Sequence, residues 1–315
     1  MKLERIETKR EKDYILYKGD CRVILKTLED VSIDVVLADI PYGIDYASWD
    51  VLHSNKNSAL GGSSLNQATK TSFKRRGKPL NGWSKADKEI PYEYESWCNS
   101  WARELYRITK PASPILIFSS RRMQHRVCTA LEDSGFIIKD ILIWQKDRCN
   151  AKAQKLENVL EKRIRKKDNE KELEICKELY RNYRLGNLAP YYEPIIYAIK
   201  PYRGTLTDCV LNTGLGEFNC PINSSNKIPS NILSYARKGK NTYHETEKPV
   251  ELIEYLLQLF SMDGHTILDF TMGSGTTGVG CMRTNRKFIG IELDSKYYNT
   301  AVSRLQQETH KLKKE

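Results

Sequence analysis

Two short segments carry residue types able to do chemistry. The first is Asp39-Ile40-Pro41-Tyr42. It offers an acceptor carboxylate, backbone carbonyls and an aromatic face. That set suits an extruded base bearing an amino group: Tyr42 can stack on the ring while Asp39 and the carbonyl of Ile40 accept from the two amino hydrogens. Taken alone, the string reads first as a turn with a proline at the bend. The second segment is Asp269-Phe270-Thr271-Met272-Gly273-Ser274-Gly275-Thr276-Thr277. Its glycines let the backbone turn tightly and approach a ligand closely. Glu292 follows in Gly290-Ile291-Glu292, where a carboxylate can accept from two ribose hydroxyls. NAD-binding enzymes share that logic, so the pattern indicates a nucleotide-like cofactor without choosing one.

These segments need elements to hold them. Residues 33–38 (IDVVLA) are nearly all apolar and β-branched, which predicts a buried strand ending at Asp39. Ligands of open parallel sheets bind beyond such carboxyl ends. The glycine turn sits between a predicted strand, 266–270, and a predicted helix, 276–283, with a further strand over 287–291. Other predicted strands are 14–17, 114–118, 136–144 and 191–199. Predicted helices are 21–28, 94–109, 121–133, 248–260 and 295–312. Strands alternating with helices imply a mainly parallel sheet covered on both faces. Two stretches break the pattern. Residues 45–90 are rich in Ser, Gly, Asn and Lys, and 150–182 are helical and charged with both signs mixed.

Together the two chemical segments resemble the DNA adenine-N6 and cytosine-N4 methyltransferase family. Its motif Asp/Asn/Ser-Pro-Pro-Tyr is matched by Asp39-Ile40-Pro41-Tyr42. Its S-adenosylmethionine (SAM) motif, in the form Asp-x-x-x-Gly-Ser-Gly-Thr, is matched by Asp269 to Thr276. Gly290-x-Glu292-x4-Tyr297-x3-Ala301-x2-Arg304 also looks like a family pattern. His244-Glu245-Thr246-Glu247-Lys248-Pro249 looks like His-Pro-Thr-Gln-Lys-Pro, which borders the methionine end of the cofactor. Gly19-Asp20 resembles the family site that bonds the cofactor's adenine. The resemblance therefore implies Asp39, Ile40, Pro41 and Tyr42 as catalytic residues. It implies Asp20, Thr246, Lys248, Asp269, Phe270, Gly273, Ser274, Gly275, Thr276 and Glu292 as SAM residues. The catalytic motif precedes the SAM motif, which is the β arrangement of the family. The implied fold is an α/β, Rossmann-like SAM-dependent methyltransferase, circularly permuted, with an inserted DNA-recognition region. Its halves would be 12–146, including the loop 45–90, and 244–315. The insert would be 147–243 and include strand 191–199. Three departures stand out: Ile40 replaces the first proline, Glu245 and Glu247 replace Pro and Gln, and Asp39 rather than Ser leans towards adenine.

The bulk properties agree. The 315 residues carry a formal net charge of +11, which favours a polyanionic partner, and nucleic acid is the commonest. Residues 49–90 are expected to form a mobile loop that closes over double-stranded DNA, with Lys74, Arg75, Arg76 and Lys78 neutralising phosphates. Eight cysteines include no C-x-x-C pair, so packing thiols in the cytoplasm explain them better than disulfides or a metal. The N-terminus has no apolar signal core, and no membrane span is expected. The expected activity is site-specific methylation of adenine N6 in DNA. Alternatives are methylation of cytosine N4 or of RNA, a DNA-binding regulator that contacts SAM without turnover, and, more remotely, a nicotinamide dehydrogenase. A homodimer and a separate restriction nuclease are left open.

Overall fold

Strand β3 (Val35–Asp39) shows how the sequence builds the core. Val35 and Leu37 enter one apolar cluster, while Val36 and Ala38 enter another on the opposite face. A strand buried on both faces needs an unbroken apolar run, and this one has it. The computed structural model describes residues 7–44, 50, 52–54, 85–149, 153–164, 170–220, 228–236, 243 and 247–313. The remaining strands are β1 (Glu7–Arg10), β2 (Tyr14–Lys18), β4 (Pro114–Phe118), β5 (Ile137–Gln145), β6 (Gln154–Lys155), β7 (Arg184–Leu185), β8 (Tyr192–Ile199), β9 (Ile232–Ser234), β10 (Thr266–Asp269) and β11 (Lys287–Glu292). The helices are α1 (Cys21–Ile24), α2 (Lys85–Ile108), α3 (Gln124–Asp133), α4 (Leu156–Ile164), α5 (Glu170–Leu179), α6 (Leu206–Thr213), α7 (Val250–Phe260), α8 (Thr276–Arg283) and α9 (Ser295–Leu312).

Among the described residues, nine strands form one sheet in the order β1-β2-β11-β10-β3-β4-β8-β5-β9. The run from β2 to β4 is parallel throughout. Helices α7, α8 and α9 cover one face, and α1, α2 and α3 the other. The C-terminal strands β10 and β11 lie between β2 and β3, so the two ends of the chain build a single sheet. From β3 the chain crosses through α2 to β4 on one side, and from β10 through α8 to β11 on the other. The crevice between β3 and β10 is therefore a topological switch point, where open α/β sheets bind their ligands. Asp39 and Asp269 end those two strands.

Several elements differ from their sequence-based ranges. Helix α2 begins at Lys85 rather than Tyr94 and carries Pro91 inside it. Ile90 and Tyr94, one turn apart and both buried, offset the hydrogen bond that Pro91 cannot make. Strand β1 was not expected because its residues are exposed and lack an apolar alternation; it exists through antiparallel pairing with β2. Strand β8, expected inside the insert, lies in the central sheet and pairs antiparallel with both β4 and β5. In its described residues the charged stretch 150–182 holds helices α4 and α5, and β6 pairs with β7 in a two-stranded ribbon beside them. Helix α6 lies outside the predicted elements; a Thr205–Asp208 capping box starts it and left-handed Gly214 ends it. Among the described residues, no helix is long and apolar enough to cross a membrane, and no group of acidic, His or Cys side chains could hold a metal.

Candidate active site

The Asp39-Ile40-Pro41-Tyr42 motif leaves β3 at Asp39, and its backbone is pinned from three sides. Thr271 Oγ1 donates to the Asp39 carbonyl at 3.1 Å. Tyr94 OH donates to the Pro41 carbonyl at 2.9 Å. Asp50, fully buried, accepts from the amides of Gly43 at 2.7 Å and Ile44 at 3.1 Å. Gly43 has φ of 62°, and a Cβ there would sit 2.3 Å from the Tyr94 ring, so only glycine fits. These contacts supply the rigidity that Ile40, itself buried, does not provide as proline would.

A charged network surrounds the motif. Lys248 Nζ lies 2.5 Å from Asp39 Oδ2 and 3.5 Å from Glu193 Oε2. Glu193 Oε2 also accepts from Tyr42 OH at 2.9 Å, and Lys146 Nζ donates to Glu193 Oε1 at 3.0 Å. Burial alone would raise the Glu193 carboxyl, but Lys248, Lys146 and Tyr42 together hold it at about 2. Burial pushes the Tyr42 phenol up, helped by Asp39 and Glu193, so it stays a donor. Burial would lower Lys248, yet its two carboxylate partners keep it above the ordinary lysine value. Asp39 is raised by burial, against the pull of Lys248. The Lys248 contact at 2.5 Å opposes that rise. The second oxygen, Asp39 Oδ1, is buried and has no hydrogen-bond partner among the described residues. An acceptor left in that state invites a donor from a ligand.

The glycine loop follows β10 directly. Both Asp269 oxygens are used within it: Oδ2 accepts from Thr277 Oγ1 at 2.7 Å and Oδ1 from the Thr271 amide at 3.1 Å. Burial pushes its carboxyl up to about 7. Asp269 therefore shapes the loop. Phe270 is buried against Trp101, with ring centroids 4.9 Å apart. Gly275 caps α8 with φ of 81°, and a Cβ there would press on Ala301 and Leu305 at 3.0 Å. Glu292 ends β11 and accepts from the Gly273 amide at 2.9 Å and the Asp294 amide at 2.7 Å. A carboxylate has about four lone-pair sites, so two remain for a ligand. Asp20 caps α1, and Arg22 grips both of its oxygens, the closest contact being 2.6 Å.

Glu247, the residue that departs from the expected Gln, does not add an unbalanced charge. Arg304 meets it at 2.6 Å while also donating to Thr276 Oγ1 at 3.0 Å and the Ser274 carbonyl at 3.2 Å. Arg304 thus ties the segment leading into α7 to the glycine loop.

One cavity of about 960 Å³ joins the two ends. Its wall includes Asp39, Tyr42 and Glu193 at one end and Asp20, Gly273 and Glu292 at the other.

The profile of the DNA methylase family matches residues 33–303. The chain belongs to that family. Over 303 residues this methylase is 41% identical to the Type II methyltransferase M.HindIII of Haemophilus influenzae, covering 92% of this chain and 94% of the relative. Its fold is similar to that of the M1.HpyAVI–SAM complex, with a TM-score of 0.54 at 20% identity over 93% of this chain and 98% of that one. It is also similar to the PvuII DNA methyltransferase (cytosine-N4-specific), with a TM-score of 0.55 at 15% identity over 95% and 91% of the two chains. The expected fold class is therefore the observed one.

The structure brings Asp39, Ile40, Pro41, Tyr42 and Lys248 to one end of the cavity. Asp20, Phe270, Gly273, Ser274, Thr276 and Glu292 line the same cavity, as does Asp269. Lys248, expected beside the cofactor's methionine end, has Asp39 as its nearest charge. Thr246 lies outside the described residues, as do Lys74, Arg75, Arg76, Lys78, His244 and Glu245. Glu193 and Lys146 were not singled out. A lone carboxylate in the apolar run YYEPIIYAI was the available signal for Glu193. Lys146 had none.

Proposed function

We propose that this methylase transfers a methyl group from SAM to N6 of adenine at a specific site in double-stranded DNA. The observation that carries the reading is the partnerless Asp39 Oδ1, set in the same cavity as the Glu292 carboxylate. The relative's designation as a Type II methyltransferase supports a site-specific DNA substrate.

The residues present fit SAM. Glu292 retains acceptor capacity for ribose hydroxyls, and the amides and carbonyls of the Gly273–Gly275 turn offer a close backbone approach. Asp20, Phe270, Ser274 and Thr276 complete that end, with Asp269 holding the turn. SAM supplies an electrophilic methyl group on a sulfonium. At the other end the chain prepares the nucleophile. Tyr42 holds an extruded base by its ring. Asp39 Oδ1 and the Ile40 carbonyl accept from the two amino hydrogens, which localises a nitrogen lone pair otherwise delocalised into the ring. Pro41 shapes the turn that aims these groups. The mechanism is direct displacement by a positioned amine, so no covalent enzyme intermediate and no catalytic cysteine is required.

Tritiated SAM incubated with unmethylated duplex DNA, followed by nucleoside analysis, tests this. N6-methyladenine is expected. N4-methylcytosine would move the target base, and DNA binding without incorporation would favour a regulator. Lys74, Arg75, Arg76 and Lys78 are proposed phosphate contacts. Neutralising all four should weaken DNA binding and lower its salt slope by about 0.9 per lost contact. An unchanged affinity and slope would move the search for the DNA surface to 147–243.

A further inference from the structure

Four charged side chains close the base end of the cavity: the carboxylates of Asp39 and Glu193 and the ammoniums of Lys146 and Lys248. They come from four places in the fold. Asp39 ends β3, Lys146 follows β5, Glu193 lies on β8, and Lys248 precedes α7. Glu193 is the hub, because it contacts Lys146, Lys248 and the Tyr42 hydroxyl. Both lysines are nearly fully buried. Ion pairs buried this deeply are weak sources of stability, since desolvation consumes most of the attraction. The position suggests another use. Lys248 pairs with Asp39 Oδ2 and leaves Oδ1 without a hydrogen-bond partner among the described residues, but its charge opposes the positive charge that a methylated amino nitrogen develops. With Glu193 present the four charges sum to zero, and without it they sum to +1.

We infer that Glu193 is a positioning residue for methyl transfer. Braced by Lys146, it fixes the Tyr42 ring and offsets Lys248, so that Lys248 can orient Asp39 without opposing a cationic transition state. This rests on the reading of the site as a base pocket.

The test is steady-state methylation by the full chain carrying Glu193→Gln, Lys146→Met or both, beside wild type. Glu193→Gln should lower kcat roughly 10- to 100-fold, the range of coupling within one network. KM for DNA and Kd for SAM should change little. The double variant restores neutrality and should recover several-fold of the lost kcat. The acid limb of kcat is diagnostic. The groups acting on Asp39 there are Lys248, Glu193 and Tyr42, with Lys146 behind Glu193 and Asp269 on the adjacent strand. Removing the Glu193 charge should shift the limb to lower pH, and removing the Lys146 charge should shift it to higher pH. A purely structural role would move neither. Should Glu193→Gln melt below the assay temperature, the Lys146→Met limb carries the test alone. An active wild type with an unchanged Glu193→Gln variant, or with unmoved limbs, overturns this inference alone. A wild type that incorporates no methyl group overturns the base-pocket reading and this inference with it.

Discussion

The two ends of the cavity are built in opposite ways. At the cofactor end the partners are near neighbours in sequence: Thr277 and Asp269 are 8 residues apart, and Gly273 and Glu292 are 19 apart. At the base end they are remote: Tyr42 and Glu193 are 151 residues apart, and Asp39 and Lys248 are 209 apart. The electrostatics differ as well. Asp269 and Glu292 are both raised, chiefly by burial, and neither has an ammonium partner among the described contacts, an environment suited to a cationic ligand. Asp39 and Glu193 are matched one for one by lysines. A site that must hold a charged cofactor leaves carboxylate character in excess. On the proposed reading, a site that admits a neutral base and passes through a cation is balanced.

Substituting Asp39 should produce the largest effect. Asp39→Ala removes the open acceptor Oδ1 and the partner of Lys248, and kcat should fall roughly 100- to 1000-fold, as for loss of one group that stabilises a transition state. SAM affinity should be largely kept. Loss of SAM binding in calorimetry, with turnover of the bound fraction intact, would place Asp39 at the cofactor end and dissolve the contrast.

Glu292→Ala should do the reverse. Two charge-assisted hydrogen bonds to the ribose would be lost, at a cost of roughly 2 to 4 kcal/mol in SAM affinity. DNA affinity should change much less. Equal SAM titrations for variant and wild type would remove Glu292 from the ribose site.

The smallest effect concerns stability. The Asp269 carboxyl is pushed up to about 7 by burial, with Asp39 and Glu292 adding repulsion. A carboxyl raised in the folded state favours folding while protonated, so its contribution is full below about 4 and is lost as pH rises through about 7. Asp269→Asn keeps the side chain uncharged at every pH. Its Tm should therefore decline less than wild type between pH 4 and pH 7, when each is followed by thermal melting. Parallel Tm curves for the two proteins would show that Asp269 is not ionising over that window.

The sequence showed the elements around the glycine loop almost whole because they are local. Helices α8 and α9 match their expected ranges, and strands β10 and β11 match within one residue. The strand–glycine turn–helix–strand succession places Gly273 beside Glu292 with no long-range help. The base end was legible only in its motif, Asp39 to Tyr42. Lys248 was assigned to the other end because its sequence neighbours belong to a cofactor motif, while its side chain reaches across the switch point to Asp39. Glu193 stood as one acid in an apolar run, and Lys146 was one of many basic residues.

What the sequence determined by itself was the periodicity of the core elements, the turn chemistry of the SAM motif, and the residue types available at the catalytic turn. These depend on steric and hydrogen-bonding preferences within a few residues. The tertiary structure alone decided which charges meet. Strand β8 enters the sheet between β4 and β5, and that pairing carries Glu193 to Tyr42 and Lys146. The pairing of β10 with β3 brings the two chain halves together and sets the glycine loop against Asp39, with Thr271 bonded to the Asp39 carbonyl. Coulomb attraction acts through space at a few ångströms, and only sheet order converts sequence separations of hundreds of residues into such distances.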